Sequence, residues 1–155
     1  LCDIVVADEL RTGLTPPAAG DGAADWRARA EVWRHRDAVI GGSDAGAHLD
    51  MMCGAIYTTA LLGHGVREHQ VVTLEEAVRL ITDVPARLYG LTGRGRITPG
   101  WHADLVLFDP ERVADRATYE EPRLAPVGIS RVWVGGRPAV VGGELAASVP
   151  PAETP

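Results

Sequence analysis

The chain contains no lysine and no asparagine in its 155 residues. Without lysine it cannot supply a catalytic amine or a carboxylated lysine. All 15 basic side chains are therefore arginine. Alanine, glycine, proline and arginine dominate, as expected of a bacterial genome with codons rich in G and C. Cysteine is scarce: Cys2 and Cys53 stand far apart and form no CxxC pair. Two isolated thiols suit the reduced state of a cytoplasm better than a disulfide framework, although a single bridge between them stays open. Positive charge is in short supply as well. The net charge of -6 argues against a nucleic-acid partner, which needs a clustered positive field. No apolar run approaches the ~20 residues that span a bilayer, so no membrane role is expected. The apolar start at Leu1 holds Asp3, lacks a basic leader and so reads poorly as a signal peptide. It also lacks methionine, and the natural start is expected upstream.

What is present suffices for one ordinary domain with a hydrophobic core. Leu1 to Leu10 reads as a short helix, or a strand running into one. Trp26, Ala30 and Trp33 recur at helical spacing. Asp21 or Asp25 is a candidate cap for that helix, and His35 and Arg36 suit its C-terminal dipole. Ala38-Val39-Ile40 reads as a buried strand ending at Gly41-Gly42, with Ser43-Asp44 at its tip. A helix carrying Met52, Ala55, Ile56 and Thr59 on one side should follow and break at Gly63-His64-Gly65. Thr73-Leu74-Glu75-Glu76 has the form of a capping box, with an apolar stripe of Leu74, Ala77, Val78 and Ile81 behind it. Pro85 suits the first turn of another helix, and Gly90 its end.

After Gly90 the pattern changes to strands. Arg96-Ile97 and Asp104 to Phe108 read as extended, separated by a Thr98-Pro99-Gly100 turn. Residues 111 to 127 read as a loop. Ile129 to Val134, Gly135-Gly136 and Arg137 to Val141 read as a hairpin. The tail from residue 146 is expected to be disordered. One strand followed by several helices cannot close an α/β core by itself, because a buried strand needs neighbours on both edges.

Several segments together resemble the amidohydrolase superfamily: Gly41-Gly42-Ser43-Asp44-Ala45-Gly46-Ala47-His48, then Gly63 to Glu68, Leu74 to Val78 and Pro85 to Leu91. The most specific is Gly95 to Asp109, of the form G-x-I-x-x-G-x-x-A-D-L-V-x-x-D. Val132 to Gly136 resembles the strand that follows. Within that superfamily the chain is most similar to the N-acyl-D-amino-acid deacylase group. The resemblance implies an α/β fold, the C-terminal part of a (β/α)8 barrel plus part of a small β-sandwich. Residues 1–91 would supply the last barrel strand and helices, 92–145 the sandwich strands and 146–155 the tail.

The same resemblance makes Asp44 a metal ligand and proton carrier. A carboxylate at the C-terminal tip of a barrel strand sits where such folds place chemistry. It can take a proton from the attacking water and return it to the leaving amine. The implied cofactor is a divalent metal, zinc by preference. On residues alone, Ser43-Asp44-Ala45-Gly46 is also good turn chemistry. His48, four residues on, is a candidate substrate contact or partner of a ligand, and equally a surface histidine. His64 and Arg67 are candidate substrate-binding residues, since a guanidinium can grip a carboxylate with two hydrogen bonds. Helix termination explains that cluster as well. His102, His35, Cys53, Trp26 and Trp33 read as structural.

One carboxylate does not hold a catalytic zinc, which typically takes three protein ligands. In the family the others come from earlier strands: a paired-histidine motif, a lysine, cysteine or acid, and further histidines. The expected activity is hydrolysis of a non-peptide amide in a small-molecule substrate. The expected partner is the missing N-terminal barrel portion or a second chain. The alternatives are a cyclic amidase or deaminase of the same superfamily, or a non-catalytic truncated or partner-completed chain.

Overall fold

The computed structural model describes residues 2–9, 11, 20–43 and 56–146. Asp44, His48, Met52, Cys53, Ala55 and the expected tail beyond residue 146 lie outside them. The described residues form a helical layer followed by a four-stranded antiparallel sheet.

The first helix, Cys2–Ala7, buries nothing, and Cys2 is an exposed free thiol. The second, Ala23–Arg34, buries Trp26 and Ala30 on the face that the spacing predicts. Its N-cap is Gly22, whose amide donates to Asp25 Oδ2 at 3.0 Å. Asp21 instead pairs with Arg29 at 3.2 Å. Arg29 in turn lies 4.7 Å from the centre of the Trp26 ring, a cation–π distance.

Ala38-Val39-Ile40 is a correction. It forms no strand and pairs with nothing in a ladder among the described residues. Ile40 still packs on the core, while Val39 is 37% exposed. A short apolar run makes a strand only when other strands satisfy its backbone. The described sheet lies elsewhere.

Gly63-His64-Gly65 is a second correction. The Tyr57–Ala60 helix does not break there but widens into a π-helical segment, Leu61–Glu68. Both glycines are buried and used for close approach. A Cβ at Gly63 would lie 3.3 Å from the Val113 carbonyl oxygen; one at Gly65 would lie 3.2 Å from Leu61 Cδ1. Packing against these faces outweighs the cost of glycine in a helix, about 1 kcal/mol each.

The Leu74–Ile81 helix begins as expected, with Thr73 Oγ1 accepting from the Glu76 amide at 3.1 Å. Glu76 does not complete the box. Its carboxylate accepts from Arg34 at 2.7 and 2.9 Å, and Arg34 also donates to the Val71 carbonyl at 2.8 Å. A charged partner on a neighbouring helix outcompetes a backbone amide that water can serve. The Asp83–Leu88 helix ends in a Schellman motif: Leu91 N donates to Ala86 O, Gly90 N to Arg87 O, and Gly90 has φ +66°.

Strands β1 (Leu105–Phe108), β2 (Ile129–Val134), β3 (Arg137–Val141) and β4 (Glu144–Leu145) follow in that spatial order. Gly135-Gly136 and Gly142-Gly143 all have positive φ, which two-residue hairpin turns require. The fourth strand was not in the sequence pattern. Arg96-Ile97 is no strand: Ile97 is 91% exposed. The Thr98 to Trp101 turn is as expected, closed by Trp101 N on Thr98 O with Gly100 at φ +84°.

The core sits in the helical layer, around Ala30, Leu61, Leu62, Val72 and Ala77. Val113, from the loop after β1, enters that same cluster, with Phe108 and Ile129 packed beside it. This loop is what joins sheet to helices.

Candidate functional site

The described residues bring His64 and Arg67 together on the π-helical segment. An α-helix places residues three apart on neighbouring positions, and the wider π turn keeps both side chains toward the loop that carries Val113. Arg67 Nη1 donates to Val113 O at 2.7 Å and to Pro110 O at 3.3 Å. Its other terminal nitrogen lies 3.9 Å from Glu68 Oε1. The guanidinium expected to grip a substrate carboxylate thus grips the chain's own carbonyls.

His64 Nδ1 lies 2.7 Å from Glu68 Oε2, and its Nε2 lies 3.4 Å from Asp115 Oδ1. Its ring also rests against Trp26 at 5.7 Å between centroids. The hydrogen bond from His64 holds the Glu68 carboxyl below the usual glutamate range. His69 stacks on Trp26 at 5.1 Å. Asp115 had no local signal in the sequence. It is 51 positions from His64, and only the fold of the 109–128 loop brings the two together.

The G-x-I-x-x-G-x-x-A-D-L-V motif has a structural account. Gly95, at φ +82°, leaves no room for a Cβ, which would lie 2.7 Å from Ala86 Cβ and 2.9 Å from Thr82 O. Arg96 donates to both oxygens of Asp83, at 2.6 and 3.1 Å, tying the motif to the preceding helix. Asp104 accepts from Arg94 with one oxygen and from the Gly135 amide with the other, the latter at 2.7 Å. His102 N donates to Gly93 O at 2.9 Å. The motif therefore nails the loop, the first strand and the hairpin turn to one another.

Asp44 and His48 fall outside the described residues. Among the described residues no three His, Cys, Asp or Glu side chains converge as metal ligands. The described part therefore does not fit a metal by itself. None of its helices is long and apolar enough to cross a membrane.

Comparison with known proteins agrees with these segments. A model of the amidohydrolase family matches residues 7–140. An N-acyl-D-glutamate deacylase of Alcaligenes xylosoxydans xylosoxydans is 39% identical over 139 residues, 87% of this chain and 27% of the relative. The crystal structure of an N-acyl-D-glutamate deacylase from Bordetella bronchiseptica, complexed with zinc and a phosphonate inhibitor, is 52% identical. It matches with a TM-score of 0.52 over 52% of this chain and 17% of that one. A D-aminoacylase structure matches at 38% identity and a TM-score of 0.57, over 59% of this chain and 19% of that one. The chain thus spans about a quarter of the length of the curated relative, and its α/β arrangement resembles the corresponding part of the D-aminoacylase fold. With the family model covering most of its length, the chain belongs to the amidohydrolase family.

Proposed function

We propose that this chain is the C-terminal part of a metal-dependent N-acyl-amino-acid deacylase, a hydrolase of non-peptide C–N bonds. The observation that carries the reading is the family match over residues 7–140, joined to 39% identity with an N-acyl-D-glutamate deacylase. In this reading residues 1–91 belong to the end of a (β/α)8 barrel, and 92–145 to a small β-sandwich. The tail from 146 is assigned to neither, except that the Ala146 amide still donates to Ala139 O of the sheet at 2.9 Å. The paired strands β1 to β4 support the second assignment.

Asp44 is the proposed metal ligand, with the other ligands in the part of the family fold that this chain does not span. The ion, zinc by preference, supplies Lewis-acid chemistry when bound. The Asp44 carboxylate accepts a proton from the attacking water and delivers it to the departing amine nitrogen. His48 is proposed beside it as a substrate contact. Arg67 and His64 are better read as clamps on the 109–128 loop, since their polar atoms already face the chain's own groups. The wide separation of Cys2 and Cys53, with no CxxC pair, supports a cytoplasmic setting.

The test uses a longer polypeptide that contains this segment, assayed on N-acetyl-D-glutamate, N-acetyl-D-alanine and a cyclic amide. Asp44→Asn should lower kcat by about 10²-fold or more and leave the fold intact by circular dichroism. The 155-residue chain alone should be inactive. Metal-dependent hydrolysis by the 155-residue chain, abolished by Asp44→Ala, would overturn the assignment of the missing ligands. Preference for the cyclic amide would move the reading to a cyclic amidase.

A further inference from the structure

We propose that His64 is a proton-operated latch that draws the 109–128 loop onto the Leu61–Glu68 segment. A neutral imidazole carries a single N–H. Here both ring nitrogens face carboxylates on different elements: Glu68 Oε2 at 2.7 Å on the same segment, and Asp115 Oδ1 at 3.4 Å on the loop. The closer carboxylate takes the N–H on Nδ1. The lone pair of Nε2 then points at a second carboxylate, which is repulsive. A proton added at Nε2 converts that approach into a charge-assisted hydrogen bond.

The charged groups around His64 do not cancel this. Arg67 Nη1 is held by Val113 O and Pro110 O. His69 and Arg29 address the Trp26 ring, at 5.1 and 4.7 Å. Asp115 is the less exposed carboxylate, its side chain 15% accessible against 49% for Glu68. The Arg67 clamp holds the start of the loop at any pH. His64 acts further along, past the Ala114–Val127 bridge. That stretch of loop forms one wall of a cleft of about 330 Å³, with Asp115 and Leu124 facing Thr58 and Thr59. Protonation therefore tightens the cleft wall. The latch is present where the imidazole is protonated and both carboxylates are ionised, and it is lost when the imidazole gives up its second proton.

The experiment is amide hydrogen exchange of Ala114 and Val127 in a longer polypeptide that contains this segment, at pH 5.5, 6.5 and 7.5, corrected for intrinsic rates. Their mutual bonds, 3.3 and 2.9 Å, pair the two arms of the loop next to Asp115 and open when that stretch lifts away from His64. Protection should be about fivefold greater at pH 5.5 than at 7.5, the scale of one partly exposed ion pair. His64→Gln and Asp115→Asn should each flatten that dependence, while the amide of Ala77 in the helical core shows none in any variant. A flat wild-type profile overturns the proposal. So does a pH dependence that survives in either variant; should His64→Gln fail to fold, Asp115→Asn decides.

Discussion

The helical layer and the sheet are built on different principles. Among the described residues twelve are buried; eleven of them, Trp26 and Leu80 included, sit in or beside the helices, and the twelfth is Val113, lent by a loop. None of the residues in the four described strands is fully buried, and Val106, Leu107, Val134 and Val141 are about half exposed. The helices are held by apolar contact between distant parts of the chain. The sheet is held by strand pairing and glycine turns, with Phe108 and Ile129 packed at the edge of the helical core. A region of the second kind can be drawn correctly from short sequence windows, whereas one of the first kind depends on what it packs against.

That contrast can be broken experimentally. Leu80→Ala, in the helical layer, should cost about 3 kcal/mol in urea unfolding, whereas Val106→Ala in β1 should cost well under 1 kcal/mol because Val106 is 54% exposed. Equal losses would mean that the sheet has a core of its own. Next in size is Gly128→Ala. Its φ is +80° and a Cβ would lie 2.4 Å from Val113 N, so the loop that joins the two regions must shift. A loss of about 2 kcal/mol is expected, with reduced exchange protection at Val127. A smaller effect should follow from Thr73→Ala, about 1 kcal/mol for a lost helix cap. Its melting curve should keep a single transition.

The weakest lever is pH. Arg34 holds the Glu76 carboxyl below its ordinary range by hydrogen bonding, and His64 does the same to Glu68. Each folded pKa is lower than the unfolded one. Their stabilisation is therefore present above the usual glutamate value of about 4.3 and fades as pH falls through the folded values. The melting temperature should drop between about pH 5 and pH 3, and less so in Glu76→Gln. An unchanged slope in that variant would remove the Arg34–Glu76 pair from the account.

Much of the local structure was legible. The faces of Trp26–Ala30 and of Ala77, the Thr73 cap, the Gly90 stop and the Ile129–Val141 hairpin each follow from residues within a few positions of one another. The misreadings share a cause. Val39 and Ile97 have strand-like sequence but lack ladder partners among the described residues, and the glycines at 63 and 65 have break-like sequence but lie against Val113 and Leu61. Glu76 had two possible partners and took the distant one. Of the candidate site, Asp44 and His48 rest on the sequence pattern, while His64 and Arg67 acquired their partners only from the 109–128 loop.

By itself, then, the sequence determined the family, the absence of any lysine chemistry, the helix starts and stops, and the turns. Those are settled by residue type and by neighbours along the chain, through sterics and short-range hydrogen bonds. The tertiary structure decided which apolar runs become strands, that Glu76 answers Arg34, and that Asp115 comes to His64. These depend on groups tens of residues apart, which the packing of the helices on one another and of Val113 into their core brings within reach.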